Sequence, residues 1–504
     1  DFKIKIAFNN SNNNYYESKI KLKRVNYSFN KNNNFSDING EIKYKNNHFF
    51  TEKNKFIKAN YNKVKVKFDL KTNQKGNFIV SGSQRINTDK FINDDKIKKF
   101  INGESLWNYT INFPSFNSSS SVINVKAESN LQGVTVLYPK PFFKKKNEKN
   151  NTSFELDIHK SELTNIKILY NKIYSEFLSL KKLNGYINFS GKKSSVPESK
   201  INLLGNIDLL NLDDWKKLNS ESSKIDYLSY VNKIDVFLKK FTSDKLILDN
   251  LKIKGREATN IFVFDEISSN NEIFDLSASG KIENNNISSF KINIDSINLE
   301  NLLNYWNFDH SLRDASMTSN FDISWKGSLF DFSLKGLYGK FSTNMKDGRL
   351  KKVGNRATRI FGLFNIDLLA KRLSLDFDDV TKNGFYFNSL NGDFRLDSGN
   401  IFTTNLLIKG PSAELLTVGT TNYIDETYDM QVVASPEFGE TLPAIALLGG
   451  PITAAATFAA EKLAKAFGRD INDLIKIKYK VTGTWNNPKI KIINKKTDAL
   501  DDVE

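Results

Sequence analysis

Three histidines, His48, His159 and His310, and no cysteine are the whole supply of imidazole and thiolate metal ligands in this chain of 504 residues. A thiolate zinc site and a disulfide-stapled mini-domain are excluded at once. His310 beside Asp309 has the residue types of an acid–base dyad, but without a placed nucleophile it reads as a capping or surface histidine. Asp376, Asp378 and Asp379 imitate the start of a calcium loop. Its sixth position is Thr381 where the sharp turn needs glycine, and its twelfth is Phe387 where a bidentate glutamate is needed, so an acidic turn is expected. Gly185 with Gly191-Lys192-Lys193-Ser194 approaches a phosphate-cradling loop, yet the spacing is one residue too long and residues 186–189 read as a strand. Neither His-Glu-x-x-His nor Gly-x-Ser-x-Gly occurs. The expectation is a non-enzymatic protein with no cofactor and no metal.

The elements that would have to position such groups are strands. In residues 63–71 the even positions Val64, Val66, Phe68 and Leu70 are apolar and the odd ones charged, which gives a strand one dry and one wet side. The same alternation runs through Phe2, Ile4, Ile6 and Phe8, through Ile20 and Leu22, through Ile42 and Tyr44, and through Phe290, Ile292 and Ile294. Between Leu22 and Val25 the phase slips by one residue, predicting a bulge. Polar outer positions argue antiparallel pairing, because buried parallel strands read as continuous apolar runs. Residues 207–215 resemble residues 294–302, each a strand entering an acidic cap and an apolar helical turn.

Helical patches are expected at residues 225–241, 359–369 and 451–467, and a flexible loop at 144–151 with the serine run 118–121 upstream. Residues 441–460 carry no charge and are nominally long enough to span a bilayer, but Pro443, Gly449, Gly450 and Pro451 break the run, so a packed or interfacial helix is expected in place of a span.

A hydrophobic fraction of 39%, with 39 Phe and 18 Tyr, is too rich in large apolar side chains for a disordered chain. The formal charge of +16 invites a nucleic-acid reading. Read as lysine spread along the whole chain, the polar half of alternating strands, it points instead to a solvated basic surface, with anionic lipid as a candidate neighbour and no nucleic acid. An apolar face repeated over many strands must close, pack on a second sheet, or cover something else; an acyl chain is such a cover.

A linear series of motifs resembles the C-terminal region of the YhdP family of AsmA-like envelope proteins. It runs through Asp322-Ile323-Ser324-Trp325-Lys326-Gly327-Ser328, Met345-Lys346-Asp347-Gly348-Arg349-Leu350, Ile360-Phe361-Gly362-Leu363-Phe364-Asn365 and Arg372-Leu373-Ser374-Leu375-Asp376-Phe377-Asp378-Asp379-Val380. It continues through Lys382-Asn383-Gly384-Phe385-Tyr386-Phe387, Gly410-Pro411-Ser412-Ala413, Gly449-Gly450-Pro451 and Tyr479-Lys480-Val481-Thr482-Gly483-Thr484-Trp485. Upstream, Ser129-Asn130-Leu131-Gln132-Gly133-Val134 with Pro139-Lys140-Pro141 is similar to another landmark. Asn388 stands where the family tends to an acid, and the proximal half is unusually rich in Lys and Asn.

The resemblance implies a periplasmic protein of the Gram-negative envelope, attached to the inner membrane by an N-terminal anchor. It also implies phospholipid transport between inner and outer membranes in support of the outer-membrane permeability barrier, with no catalytic residues. Asp1 opens the sequence without an initiator Met or a signal peptide, which is read as the mark of a C-terminal fragment or a natural truncation lacking that anchor. The expected fold is mainly β: an elongated, twisted antiparallel β-groove of repeating strand units with a few short packing helices. Its expected parts are 1–150 (proximal groove), 151–310 (groove with a helical insertion), 311–495 (C-terminal β region with an amphipathic helix) and 496–504 (a disordered acidic tail). The lipid-groove candidates are Val64, Val66, Phe68, Leu70, Phe290, Ile292 and Ile294; the membrane-contact candidates are Leu447, Leu448, Ile452 and Phe458. An envelope scaffold that binds partner proteins by strand addition is the alternative.

Overall fold

In a computed structural model, the structure describes residues 2–7, 15–30, 33–45, 48–61, 64–92, 94–115, 121–160, 162–179, 183–219, 227–259, 261–283, 287–308, 312–350, 385–411, 413–436, 477–485 and 487–493. The chain divides into two compact units, Asp1–Asn211 with Tyr227–Phe237, and Leu212–Asp226 with Leu238–Glu504.

The first unit contains β1 (Phe2–Ala7), β2 (Tyr15–Asn30), β3 (Asn33–Lys45), β4 (His48–Phe50), β5 (Ile57–Tyr61), β6 (Val64–Thr72), β7 (Phe78–Asn87), α1 (Thr88–Phe91), α2 (Asp95–Lys98) and β8 (Ile101–Phe113). It continues with β9 (Val122–Ser129), β10 (Val134–Val136), β11 (Thr152–His159), β12 (Glu162–Tyr170), β13 (Ile173–Ser179), β14 (Asn184–Asn188) and β15 (Ile201–Asn211). Strands pair antiparallel, mostly with the next in the chain; β4 and β5 both bridge β3 to β6, β10 pairs back to β8 while β9 pairs β11, and β15 joins β14 in parallel. The reason is the connection: residues 189–200 form a loop long enough for the chain to travel back and re-enter in the same direction. The predicted slip between Leu22 and Val25 is a bulge, where Arg24 takes φ 50°.

Next in the chain come α3 (Leu212–Asn219) and β16 (Val231–Ser243). The second unit then builds β17 (Leu246–Ala258), β18 (Ile261–Asn270), β19 (Phe274–Glu283), β20 (Ile287–Ser296), α4 (Leu299–Tyr305), β21 (Leu312–Arg313), β22 (Ser316–Lys326) and β23 (Tyr338–Leu350). It ends with β24 (Phe385–Asp397), β25 (Asn400–Lys409), β26 (Ala413–Asn422), β27 (Thr427–Pro436), β28 (Ile477–Thr484) and β29 (Asn487–Ile492). The described pairings here are all antiparallel. The fold is thus mainly β with short helices, as the alternation predicts. The two similar segments both run from strand into helix, β15 into α3 and β20 into α4, the latter capped by Asn298, whose side chain accepts from the Asn301 amide.

Two expectations are corrected. The helix expected over 225–241 is a 3-10 turn at Tyr227–Tyr230 followed by β16, because Ile234, Val236 and Leu238 recur every second residue and are buried together. The loop expected to be flexible at 144–151 is fastened at both ends, while 145–149 are exposed: Lys144 bridges to Val136 and is only 2% exposed, and the buried Asn150 donates its amide to the Asn130 carbonyl. The patches at 359–369 and 451–467, the serines 118–120, the acidic run Asp376 to Asp379 and His310 lie outside the described residues.

Candidate functional site

Antiparallel partners point to the same face, so the register can be followed from strand to strand as a row. In the first unit one row reads Ile57, Phe68, Gly82, Tyr109, Ala127, Phe154, Ile168, Ser175, Ile187 and Leu203. A second, one step along each strand, reads Leu70, Val80, Ile111, Val125, Leu156, Ile166, Phe177, Gly185 and Ile201. Two apolar rows therefore cross β6 to β15 on one side. Val66, Phe68 and Leu70 stand on this side half-buried, with Lys65, Lys67 and Asp69 exposed on the other. Val64 lies in the same strand opposite Tyr61; its side chain is outside the described set. Most of the row, from Tyr109 through Phe154 to Ile168, is also half-buried, an apolar surface its own sheet does not close.

The inner face is shaped by placing rings against bare backbone. Tyr109 lies over Gly82 and donates its hydroxyl to the Lys67 carbonyl at 3.1 Å. Burial pushes that phenol up to about 12.

In the second unit the matching rows are deeper. Phe264, Gly280, Phe290, Ile323, Gly339, Leu396, Ile401, Thr421 and Tyr428 form one. Ile292, Phe321, Phe341, Phe394, Thr403, Gly419, Met430, Val481 and Ile490 form the next. Phe290 is buried, while Ile292 and Ile294 are half-buried on the same side; Lys291, Asn293 and Asp295 face out. Phe290 stacks on Trp325 at 5.4 Å and its ring lies over Gly280, where a Cβ would come within 2.3 Å of it. Phe341 stacks on Phe394 at 4.5 Å.

Several hydroxyls that share this face are occupied. Ser319 and Thr343 bond each other at 2.7 Å, Ser296 donates to the Ile273 carbonyl, and Thr421 donates to the Thr427 carbonyl while accepting from the Trp485 indole. With their polar capacity spent internally, they add little cost to apolar contact. The clefts nearby are small: one of about 340 Å³, bordered by Asn271, Asp275, Asp295, Thr318 and Lys346 beside Phe274 and Met317, is at the low end for a small-molecule site. The distinctive feature is the face.

A packed strap, which the sequence pattern misses, borders the first unit's face. Leu131, Val134 and Val136 form a buried cluster against Ile101, Trp107, Tyr138 and Tyr170. Beyond it, Phe142 rests against Tyr170 and Phe189, and its carbonyl accepts from the Tyr170 hydroxyl at 2.6 Å. Lys144 anchors the return, its Nζ donating to the Val134 and Lys145 carbonyls at 2.8 and 3.0 Å; burial holds its pKa below the ordinary lysine range. The available signal was the apolar spacing of Leu131, Val134 and Val136, hidden beneath the lysine run that follows.

Leu447, Leu448, Ile452 and Phe458 lie outside the described residues. Among the described residues no helix is long and apolar enough to cross a membrane, and no cluster of metal-ligating side chains occurs.

No solved structure matches the chain. Over 181 residues it is 26% identical to the intermembrane phospholipid transporter YhdP of Escherichia coli (strain K12), a match that covers 36% of this chain and 14% of that protein. The chain thus spans a small part of the length of that relative. The profile of the YhdP protein family matches residues 1–236 and 221–490. With rows of inward apolar side chains on an antiparallel meander and a family match along nearly its whole length, the chain belongs to the YhdP family.

Proposed function

We propose that the chain is a non-enzymatic section of a phospholipid conduit between the inner and outer membranes, in which acyl tails lie along the inward rows. The observation that carries this reading is the half-buried state of Val66, Phe68, Leu70 and the row that continues from them. An acyl chain laid there gains about 0.8 kcal/mol for each methylene removed from water. The head group stays at the wet rim, since the inward hydroxyls of Ser319, Thr343 and Ser296 are already bonded to protein. The similarity to a protein named as an intermembrane phospholipid transporter supports the substrate class.

In this reading the protein works in the periplasm, attached to the inner membrane by an N-terminal anchor, and supports the permeability barrier of the outer membrane. Leu447, Leu448, Ile452 and Phe458 are proposed as the contact with the outer membrane. The test is lipid extraction from the purified chain. Phospholipid should co-purify, and Val66→Glu should lower its amount several-fold, while Thr110→Glu on the opposite side of the same sheet should not. Absence of bound phospholipid, or an equal loss in both variants, refutes the conduit.

A further inference from the structure

The positive charge is not spread along the chain. Residues 1–100 hold 22 basic and 9 acidic side chains, so +13 of the total +16 falls in the first fifth of the sequence. The structure concentrates it further. Lys21 and Lys23 on β2, Lys58 on β5, and Lys65, Lys67 and Lys71 on β6 are exposed on the side of the strands opposite the apolar rows. None of the six makes an ion pair among the described residues. Of the acids nearby, Glu41 pairs with Lys19 and Glu52 with both Lys43 and Lys55, while Asp69, between Lys67 and Lys71 on the same side, accepts from the Ser81 hydroxyl at 2.7 Å.

Lys58 and Lys67 are direct cross-strand partners, a like-charge opposition that weakens a sheet. Lys67 is held by the ring of Phe56, 5.2 Å from its centroid. The same outward side behaves differently further along. There one row reads Lys126, Glu155, Lys167 and Glu176, alternating in sign from strand to strand. An outward lysine surplus is therefore a property of β2 to β6 and not of the meander as such.

We propose that this outward lysine face of β2 to β6 docks on an anionic lipid bilayer. Three features favour a bilayer over a folded acidic protein or a nucleic acid. The cations are almost all lysine, 20 of the 22 basic side chains in residues 1–100, and lysine acts as a mobile point charge where arginine would supply bidentate phosphate geometry. They are laid out in two dimensions, at spacings of about 4.8 Å across strands and about 7 Å along them, matching a plane of head groups better than a line of phosphates. Among the described residues Phe56, against Lys67, and Phe50, opposite Lys71, are the aromatic rings placed among them, too few for stacking successive bases. The inference rests on the lipid-handling reading for its choice of partner. It uses the reverse side of the strands, so docking and tail binding can be lost separately.

The experiment is co-sedimentation of the purified chain with vesicles of phosphatidylcholine alone or with roughly a third phosphatidylglycerol, at roughly 50 mM and roughly 300 mM salt. Binding is expected only to the anionic vesicles and should fall with salt. Each lysine neutralised should weaken it about five-fold, so K58Q/K65Q/K67Q should bind on the order of 100-fold more weakly. The control K291Q/K326Q/K340Q, with the same charge change on exposed positions of the second unit, should stay near wild type. Circular dichroism confirms that both variants fold, and the phospholipid that co-purifies with each should be unchanged. Equal binding to neutral vesicles, equal loss in both variants, or tighter binding to duplex DNA or polyglutamate overturns the proposal. If no phospholipid co-purifies yet the lysine-dependent vesicle binding persists, the conduit fails and the docking face stands.

Discussion

Phe290 carries two roles, roofing the bare backbone of Gly280 and stacking on Trp325. Phe290→Ala should therefore destabilise the second unit by about 3–5 kcal/mol, read as a lowered midpoint in urea unfolding. Ile292 sits one step along the same side but is half-buried. Ile292→Ala should cost less, about 1–2 kcal/mol, and should lower bound phospholipid more than it lowers stability. A second residue-scale expectation concerns alkaline pH. Burial pushes Tyr109, Tyr170, Tyr174, Tyr305 and Tyr479 up to about 12, with the Asp249 carboxylate adding to the rise at Tyr305. In the unfolded chain these phenols ionise near 10. Between about 10 and 12 the folded state therefore binds more protons than the unfolded one, and stability falls as pH rises through that window. Tyrosine absorbance at high pH should show a late-ionising class that disappears in urea, and the unfolding midpoint should be insensitive to these groups below about pH 10.

At the scale of elements, alternation was readable wherever one side of a strand is wet. The segment 63–71 and the bulge after Leu22 follow from side-chain order alone, because a period of two leaves no other way to bury one side. β16 was misread because Leu228, Val231, Val236 and Leu238 also fit mixed helical spacing, and pairing in the sheet decides between the two. The strap was misread because Lys144 looks solvent-bound in sequence, while two backbone carbonyls receive its ammonium in the fold. Lys144→Met retains the stem and removes both bonds, and should lower the stability of the first unit by about 1–3 kcal/mol in chemical denaturation. Gly280→Val would force the Phe290 ring aside and should cost about 2–3 kcal/mol in the second unit.

For the whole molecule, the alternation of Val66, Phe68 and Leu70 with charged neighbours pointed to a sheet with one apolar side, and the strand pairings join such residues into continuous rows. Which rows join on that face was not legible: Phe68 meets Gly82 and Tyr109 only through two successive pairings, β6 with β7 and β7 with β8, the second across a connection that carries α1 and α2. Nor was the placement of charge, which needs strand faces as well as totals. The central claim is that phospholipid lies along the inward rows. Photo-crosslinking tests it most directly, with a benzophenone side chain placed inward at Phe68 or Ile292, or outward at Asn108 or Asn293. The account predicts phospholipid adducts at the two inward positions and none at the outward ones; adducts at all four alike, or at neither inward position, would contradict it.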